Sequence, residues 1–259
     1  MKGEPLRHDF GSGEVAAYKW INADGQEGGI VAESAAVADS AFIGDGASIG
    51  PGAVVGEGAS IGDMAVIGEG ASIAAGVSIG AGAVVGPYAG IGAGARIGAY
   101  ASIGDGAAIG AEASIGYRAS IGYRASIGEG AVIGSYAHIG DMAVIGEGAS
   151  IAAGVSIGAG AVVGPYAGIG AGAVIGDGDW YIIGGPCGSR GAMWTAVHSR
   201  EQGLRWWIGC QRGISTEVLL ERVRAKHGDN EHAQAYRHAV LCVTTHPEYL
   251  KRTQEGQSE

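Results

Sequence analysis

The sequence predicts a mainly β protein, in which a long solenoid of short parallel strands is followed by a small α+β module. Three observations lead to this fold class. Glycine supplies 52 of the 259 residues, an aliphatic residue recurs at every sixth position over more than half of the chain, and tryptophans cluster where that period ends. Glycine enrichment without a three-residue period excludes collagen and is typical of repeat architectures.

The six-residue period runs without a phase break. From Val31 to Ile175 every sixth residue is Ile or Val, usually with Ala two positions earlier and Gly directly after. A helix needs apolar spacings of three and four, and an ordinary strand needs two. A period of six instead fits a short strand and a tight turn. The aliphatic side chain points inward, Ala fills the corner, and Gly takes the positive φ of the turn.

These repeats resemble the hexapeptide-repeat family of bacterial transferases. The resemblance covers residues 31–178 and implies a left-handed parallel β-helix with three hexads per coil, hence about eight triangular coils from this number of repeats. It also implies a homotrimer. Many relatives are acyltransferases that use acyl-CoA and a histidine base, and another branch holds zinc between subunits.

The chain divides into four predicted segments. Residues 1–30 break the hexad and form an N-terminal cap, in which Val15–Ile21 covers the open strand edges of the first coil. Residues 31–178 form the β-helix, residues 179–250 form the C-terminal module, and residues 251–259 form a disordered tail.

The C-terminal module has predicted strands and helices of ordinary length. A helix begins after Ser215 as N-cap, runs through Lys226 and stops at Gly228. The other predicted elements are three strands and a second helix: Tyr181–Gly184, Met193–His198, Leu204–Cys210 and Asn230–Thr245. The module resembles a tail found after hexapeptide repeats in uncharacterised bacterial and phage-like proteins, a resemblance that implies no activity.

Two segments of 35 residues, Ile61–Ala95 and Ile139–Ala173, are identical. Their offset is 13 hexads, which is not a multiple of three, so each residue of the second copy is expected one face further around the triangle than its twin. A face-specific active site would not survive this rotation in both copies. The duplication therefore favours a scaffold, whether it arose by natural duplication or by engineering.

No catalytic residue, cofactor or metal is predicted. The solenoid holds one histidine, His138, directly before an inward Ile, and no loop interrupts the repeat around it. A general base needs an enclosed site within reach of the acceptor, so a solvated surface histidine is favoured over a catalytic one. One histidine per chain also does not supply the three ligands of a catalytic zinc. Cys210, His227 and His232 lack the spacing of a metal site, and turn or capping roles are favoured.

Exposed corner residues are the binding candidates. With three hexads per coil, Tyr100, Tyr117, Arg118 and Tyr136 fall on one corner of consecutive coils and predict a ladder, with Arg96 on the neighbouring wall. Such a ladder suits a partner subunit, a sugar or an anion. Ser189 and Arg190, in a Gly-rich loop of the C-terminal module, are a second candidate for binding an anion.

Charge and cysteine content limit the partners and the compartment. Residues 31–178 carry 12 acidic against 3 basic side chains, which disfavours nucleic acid and anionic membranes. Two uncharged stretches, Ala74–Ala95 and Ala152–Ala173, keep the hexad phase and are predicted to be solenoid wall and not membrane spans. Three cysteines in the last third, and charges near Met1 where a signal peptide would be apolar, favour a cytoplasmic protein.

The function favoured by the sequence is a non-enzymatic structural or interaction solenoid. In this hypothesis the chain is a homotrimeric scaffold whose C-terminal module serves oligomerisation or attachment. The wall expected to pack against the other subunits is the uncharged one, with Val54, Ser72, Gly90, Ala108, Ser126, Val144 and Val162. One alternative is an acyltransferase-like enzyme or small-molecule binder with a site between subunits. Another is an engineered or expanded solenoid without a ligand.

Overall fold

The computed structural model describes residues 2–11, 13–171, 173–177, 179–187, 192–199, 203–208 and 211–244. The chain forms two compact units, Met1–Gly178 and Asp179–Glu259. The predicted tail 251–259 lies outside the described residues. No helix in the described ranges has both the length and the apolar character needed to cross a bilayer.

The first unit begins with three antiparallel strands, Lys2–Asp9, Glu14–Ile21 and Glu27–Ala32. The second strand matches the predicted cap, and its Tyr18 and Trp20 are buried. The first strand was not predicted, because its charges and proline match no buried pattern. It is an edge strand, where proline and charged side chains are tolerated and disfavour pairing with other chains.

The β-helix is built from two-residue strands, 24 of them in the described ranges, that stack on three walls. The first wall continues from Glu27–Ala32 with Ser48–Ile49, Val66–Ile67, Val84–Val85, Ser102–Ile103, Ser120–Ile121, His138–Ile139, Ser156–Ile157 and Val174–Ile175. The second wall holds Ala36–Val37, Val54–Val55, Ser72–Ile73, Gly90–Ile91, Ala108–Ile109, Ser126–Ile127, Val144–Ile145 and Val162–Val163. The third wall holds Phe42–Ile43, Ser60–Ile61, Ser78–Ile79, Arg96–Ile97, Ser114–Ile115, Val132–Ile133, Ser150–Ile151 and Gly168–Ile169.

Parallel hydrogen bonds join each strand to the strand 18 residues later. Ser102 N–H, for example, donates to Ala119 O at 2.9 Å, and Gly104 N–H donates to Ile121 O at 2.8 Å. The aliphatic residue of each hexad is buried in the lumen, as in Ile103 and Ile121. The predicted fold class is confirmed: the chain is mainly β, with about eight coils of three hexads.

Asn22 closes the first coil at its N-terminal end. Ile43 has no coil before it to pair with, and the Asn22 amide takes the place of that missing strand. Its Nδ2 donates to Ile43 O and its Oδ1 accepts from Ile43 N–H, both at 2.9 Å. Asn22 and Ile43 are both buried, so the cap satisfies two backbone groups that water does not reach.

The second unit contains an antiparallel sheet of four strands and two helices in its described residues. The elements are Trp180–Cys187, Ala192–Ser199, Gly203–Ile208, Gln211–Ser215, helix α1 (Thr216–His227) and helix α2 (Glu231–Thr244). The last strand was missed because Gly213 and the polar residues beside it resemble a turn. Ser215 caps α1 by accepting from Val218 N–H, as predicted, and the helices pack on Trp206, whose indole donates to Thr216.

Candidate functional site

Most of the solenoid side chains that can bind a ligand or transfer a proton lie between the two identical segments. Residues 96–138 belong to neither copy, and they contain all three arginines and the one histidine of residues 31–178. They also contain four of the six tyrosines in that range. A site built here is not split between two rotated copies, because this block occurs once.

The corner between the third and first walls carries a tyrosine–arginine ladder, formed by Tyr100, Tyr117, Arg118 and Tyr136. The Tyr117 ring contacts those of Tyr100 and Tyr136 edge to face, with centroid distances of 5.9 and 5.5 Å. The Arg118 guanidinium lies 5.7 Å from the Tyr100 centroid and 5.2 Å from the Tyr117 centroid. Both geometries are attractive, because ring edges and cations are drawn to the negative face of an aromatic ring.

Three of these four residues have left-handed backbone. Tyr100, Arg118 and Tyr136 have φ of 58°, 53° and 60°. Coils elsewhere on this corner place glycine at the same position, for example Gly82 and Gly154. A residue with a Cβ loses about 1 kcal/mol or more in this conformation. The ladder thus holds bulky side chains where the backbone prefers glycine.

His138 lies on the first wall, beside this corner. It pairs with Ser120 in the preceding coil and Ser156 in the following one, and its side chain is exposed. The imidazole is therefore flanked along the wall by two serine side chains, with Tyr136 two residues before it. The imidazole thus belongs to a polar row on the first wall, and the ladder lies on the corner beside that wall.

The opposite edge of the first wall carries a second aromatic–cation pair. The Arg124 guanidinium lies 5.0 Å from the centroid of Tyr123, at the turn into the second wall. Asp141 accepts a hydrogen bond from Tyr123 N–H at 2.8 Å and so fixes this turn to the next coil. The first wall, which carries the row with His138, therefore has an arginine on each of its two corners: Arg118 before the wall and Arg124 after it.

The two remaining solenoid tyrosines are twins within the duplicated segments. Tyr88 donates to Glu69 at 2.9 Å, and Tyr166 donates to Glu147 in the same way. These hydrogen bonds raise the pKa of both phenols, because a nearby carboxylate favours the neutral form. Tyr88 follows a first-wall strand and Tyr166 follows a second-wall strand, so the second copy is rotated by one face.

Only two of the C-terminal candidates, His227 and His232, lie within the described residues. Ser189, Arg190 and Cys210 lie outside the described residues. His227, at the end of α1, contacts His232 with a centroid distance of 5.7 Å and stacks on Tyr236 at 6.0 Å. In the ranges that the structure describes, no group of three His, Cys, Asp or Glu side chains is placed to hold a metal ion.

Comparison with known proteins gives a family for the solenoid. The family described as bacterial transferase hexapeptide (six repeats) matches residues 58–93 and 124–158. The chain is a hexapeptide-repeat left-handed β-helix protein. No curated protein sequence matches this hexapeptide-repeat protein.

Several solved structures are similar to this hexapeptide-repeat protein. The UDP-N-acetylglucosamine acyltransferase of Francisella novicida is 20% identical with a TM-score of 0.44, over 80% of this chain and 89% of that one. PerB of Caulobacter crescentus, solved with CoA and GDP-perosamine, is 22% identical with a TM-score of 0.33, over 64% and 55%. The acetyltransferase domain of PglB from Neisseria gonorrhoeae is 20% identical with a TM-score of 0.26, over 59% and 53%.

The prediction of a non-enzymatic scaffold is wrong on this comparison, since the matching family is described as one of bacterial transferases. Its two supports also fail on physical grounds. The rotation excludes only sites built from the duplicated copies, and residues 96–138 are not duplicated. An interrupting loop is needed only when one chain encloses its own site, because an exposed wall can also be enclosed by a second chain.

Proposed function

We propose that this hexapeptide-repeat protein is an acyltransferase-like enzyme, with its site on the first wall around His138 and between associated copies of the chain. One observation carries the proposal. The single histidine of residues 31–178 lies in a row of serines next to Ser120, whose own coil carries Arg118 and Arg124 on either side of the strand. This row combines a proton acceptor with two cations on an otherwise acidic solenoid.

The chemistry assigns a role to each group. The His138 imidazole accepts the proton of an acceptor hydroxyl or amine, whose oxygen or nitrogen then attacks the thioester carbonyl of the acyl donor. The new C–O or C–N bond forms as the C–S bond breaks, and the proton passes to the leaving thiolate. Arg118 and Arg124 supply guanidinium donors for the phosphates of an acyl-CoA.

Self-association is part of the proposal because His138 is exposed in the single chain. General acid–base catalysis is most effective where water is partly excluded, and a neighbouring copy would cover the first wall. Light scattering on the full chain is expected to give a multiple of 25.7 kDa. A monomer that retains full activity would contradict the inter-subunit part. The three cysteines and their odd number agree with a reducing, cytoplasmic compartment.

Thiol release from acetyl-CoA, measured with a panel of hydroxyl- and amine-bearing sugars, tests the activity. His138→Asn is expected to lower kcat by about 10²- to 10⁴-fold, the usual contribution of a general base. Ser120→Ala, in the neighbouring coil of the same row, is the control and is expected to retain most of the rate. Thiol release by the H138N variant at the wild-type rate would contradict the proposal. Binding of acetyl-CoA without thiol release would favour a small-molecule binder instead.

A further inference from the structure

We infer that the tyrosine–arginine ladder is a binding site for an anionic sugar, in which Arg118 pairs with the acidic group and the tyrosine rings pack against sugar rings. This inference does not depend on acyl transfer, because the binding is measured without an acyl donor. The ladder shares Arg118 with the proposed acyl-CoA site, whereas the three tyrosine rings on the corner and His138 on the wall belong to one proposal each.

The ladder presents open aromatic surface. Tyr100 and Tyr136 are 57% and 58% exposed, and Tyr117 is 37% exposed. Their edge-to-face contacts turn successive rings by 85° and 76°, so the rings form a stepped surface whose faces are partly exposed. The apolar C–H groups of a sugar pack on such faces, while the phenol groups remain at the edge for its hydroxyls.

The hydroxyls of the ladder differ from those of the duplicated tyrosines. Tyr88 and Tyr166 donate to glutamates within the solenoid. In the part of the chain that the structure describes, Tyr100, Tyr117 and Tyr136 donate to no side chain or carbonyl. Three phenol groups on one corner are thus free to bond to a ligand.

The charge of the ladder is also uncompensated. Among the described residues, no carboxylate lies within 4.0 Å of the Arg118 guanidinium. From Ala81 to Gly154 this corner holds no acidic residue, although the solenoid as a whole is acidic. Arg96 lies on the third wall four residues before Tyr100. The Arg118 guanidinium lies 5.7 and 5.2 Å from the Tyr100 and Tyr117 centroids, and its fork of N–H donors suits a bidentate contact with a carboxylate or phosphate.

The charge around the ladder limits the size of the ligand. A long nucleic acid is disfavoured, since the surrounding solenoid carries 12 acidic against 3 basic side chains. A short anionic sugar matches the local charge without spanning the acidic surface.

Isothermal titration calorimetry on the full chain tests the inference with tri-galacturonate, glucose 6-phosphate, the neutral sugar maltotriose and a glutamate pentapeptide. Tri-galacturonate is expected to bind and maltotriose at least about tenfold more weakly, because a charge-assisted hydrogen bond is lost. Binding of glucose 6-phosphate through Arg118 would equally support an anionic sugar and would assign the acidic group as phosphate.

The variant Arg118→Gly removes the cation at a position where glycine is the relaxed residue, so the coil is expected to remain folded. It should weaken tri-galacturonate binding by about tenfold or more. Tyr88→Gly, the same kind of change at another corner, is the matched control and should leave binding unchanged. Equal affinity in R118G, equal affinity for maltotriose or the glutamate peptide, or no binding of either anionic sugar would each overturn the inference.

Discussion

Replacing Asn22 by Ala is expected to destabilise the N-terminal end of the β-helix strongly. The amide of Asn22 makes two hydrogen bonds of 2.9 Å to the backbone of Ile43, and both residues are buried. Its removal leaves one N–H and one C=O group without a partner. Each unsatisfied buried group costs about 1–3 kcal/mol, so the loss is about 2–6 kcal/mol.

Thermal unfolding followed by circular dichroism measures this loss. In a unit of this size each kcal/mol corresponds to a fall in Tm of about 2–4 °C, so N22A is expected to melt at least about 4 °C lower. Because repeat proteins need not unfold in one step, hydrogen exchange at the Ile43 amide provides a local measurement and should accelerate most.

Two further variants complete the test. Gln26→Ala truncates an exposed side chain of the same turn, whose backbone carbonyl still accepts from Asn22 N–H, and should leave Tm unchanged. Asn22→Asp keeps the acceptor for Ile43 N–H but loses the donor for Ile43 O, so it should also destabilise. If N22A changes the stability by less than about 0.5 kcal/mol, as an ordinary surface substitution would, the cap does not hold the first coil and the reasoning fails.

Three other predictions concern the coils. Asp63→Ala and Asp141→Ala each remove one intercoil hydrogen bond to a backbone N–H. Both variants should lower the free energy of unfolding by the same amount, about 0.5–1.5 kcal/mol. Unequal losses in urea unfolding would show that the two corners are not equivalent. Glu69→Gln should return the raised pKa of Tyr88 toward its ordinary value of about 10. The Tyr88–Glu69 hydrogen bond stabilises the fold below pH about 10, and this stabilisation is lost as the pH rises through the raised pKa of Tyr88. Absorbance at the phenolate band measures that titration. Gly116→Ala would place a Cβ 2.4 Å from a backbone nitrogen of the next coil, so it should lower Tm by several degrees; an unchanged Tm would mean that the coils separate easily.

The solenoid was predictable because its signal is local and repeated. Every lumen residue and every turn obeys one six-residue rule, so the position of Tyr117 or Tyr136 on a corner follows from counting hexads. The geometry of the ladder confirms that count, while its binding role stays a prediction. The capped helix after Ser215 was predictable for the same reason, because its cap and its stop lie within the helix's own sequence.

The features that were missed depend on contacts between distant residues. Asn22 is an ordinary turn residue in the sequence, and its role appears only when Ile43 is placed beside it. His138 was expected to be a solvated surface histidine because no loop encloses it; the structure adds its neighbours Ser120 and Ser156, and its catalytic role stays a proposal. The restriction of all three solenoid arginines to the unduplicated block was visible in the sequence and was the available signal for this site.

A crystal structure of the full chain soaked with CoA tests the central claim most directly. We expect density for CoA along the first wall beside His138, with its phosphates near Arg118 or Arg124 and a second copy of the chain covering the wall. CoA bound on the duplicated segments or on the C-terminal unit, or a first wall that remains open to solvent in the assembly, would contradict it.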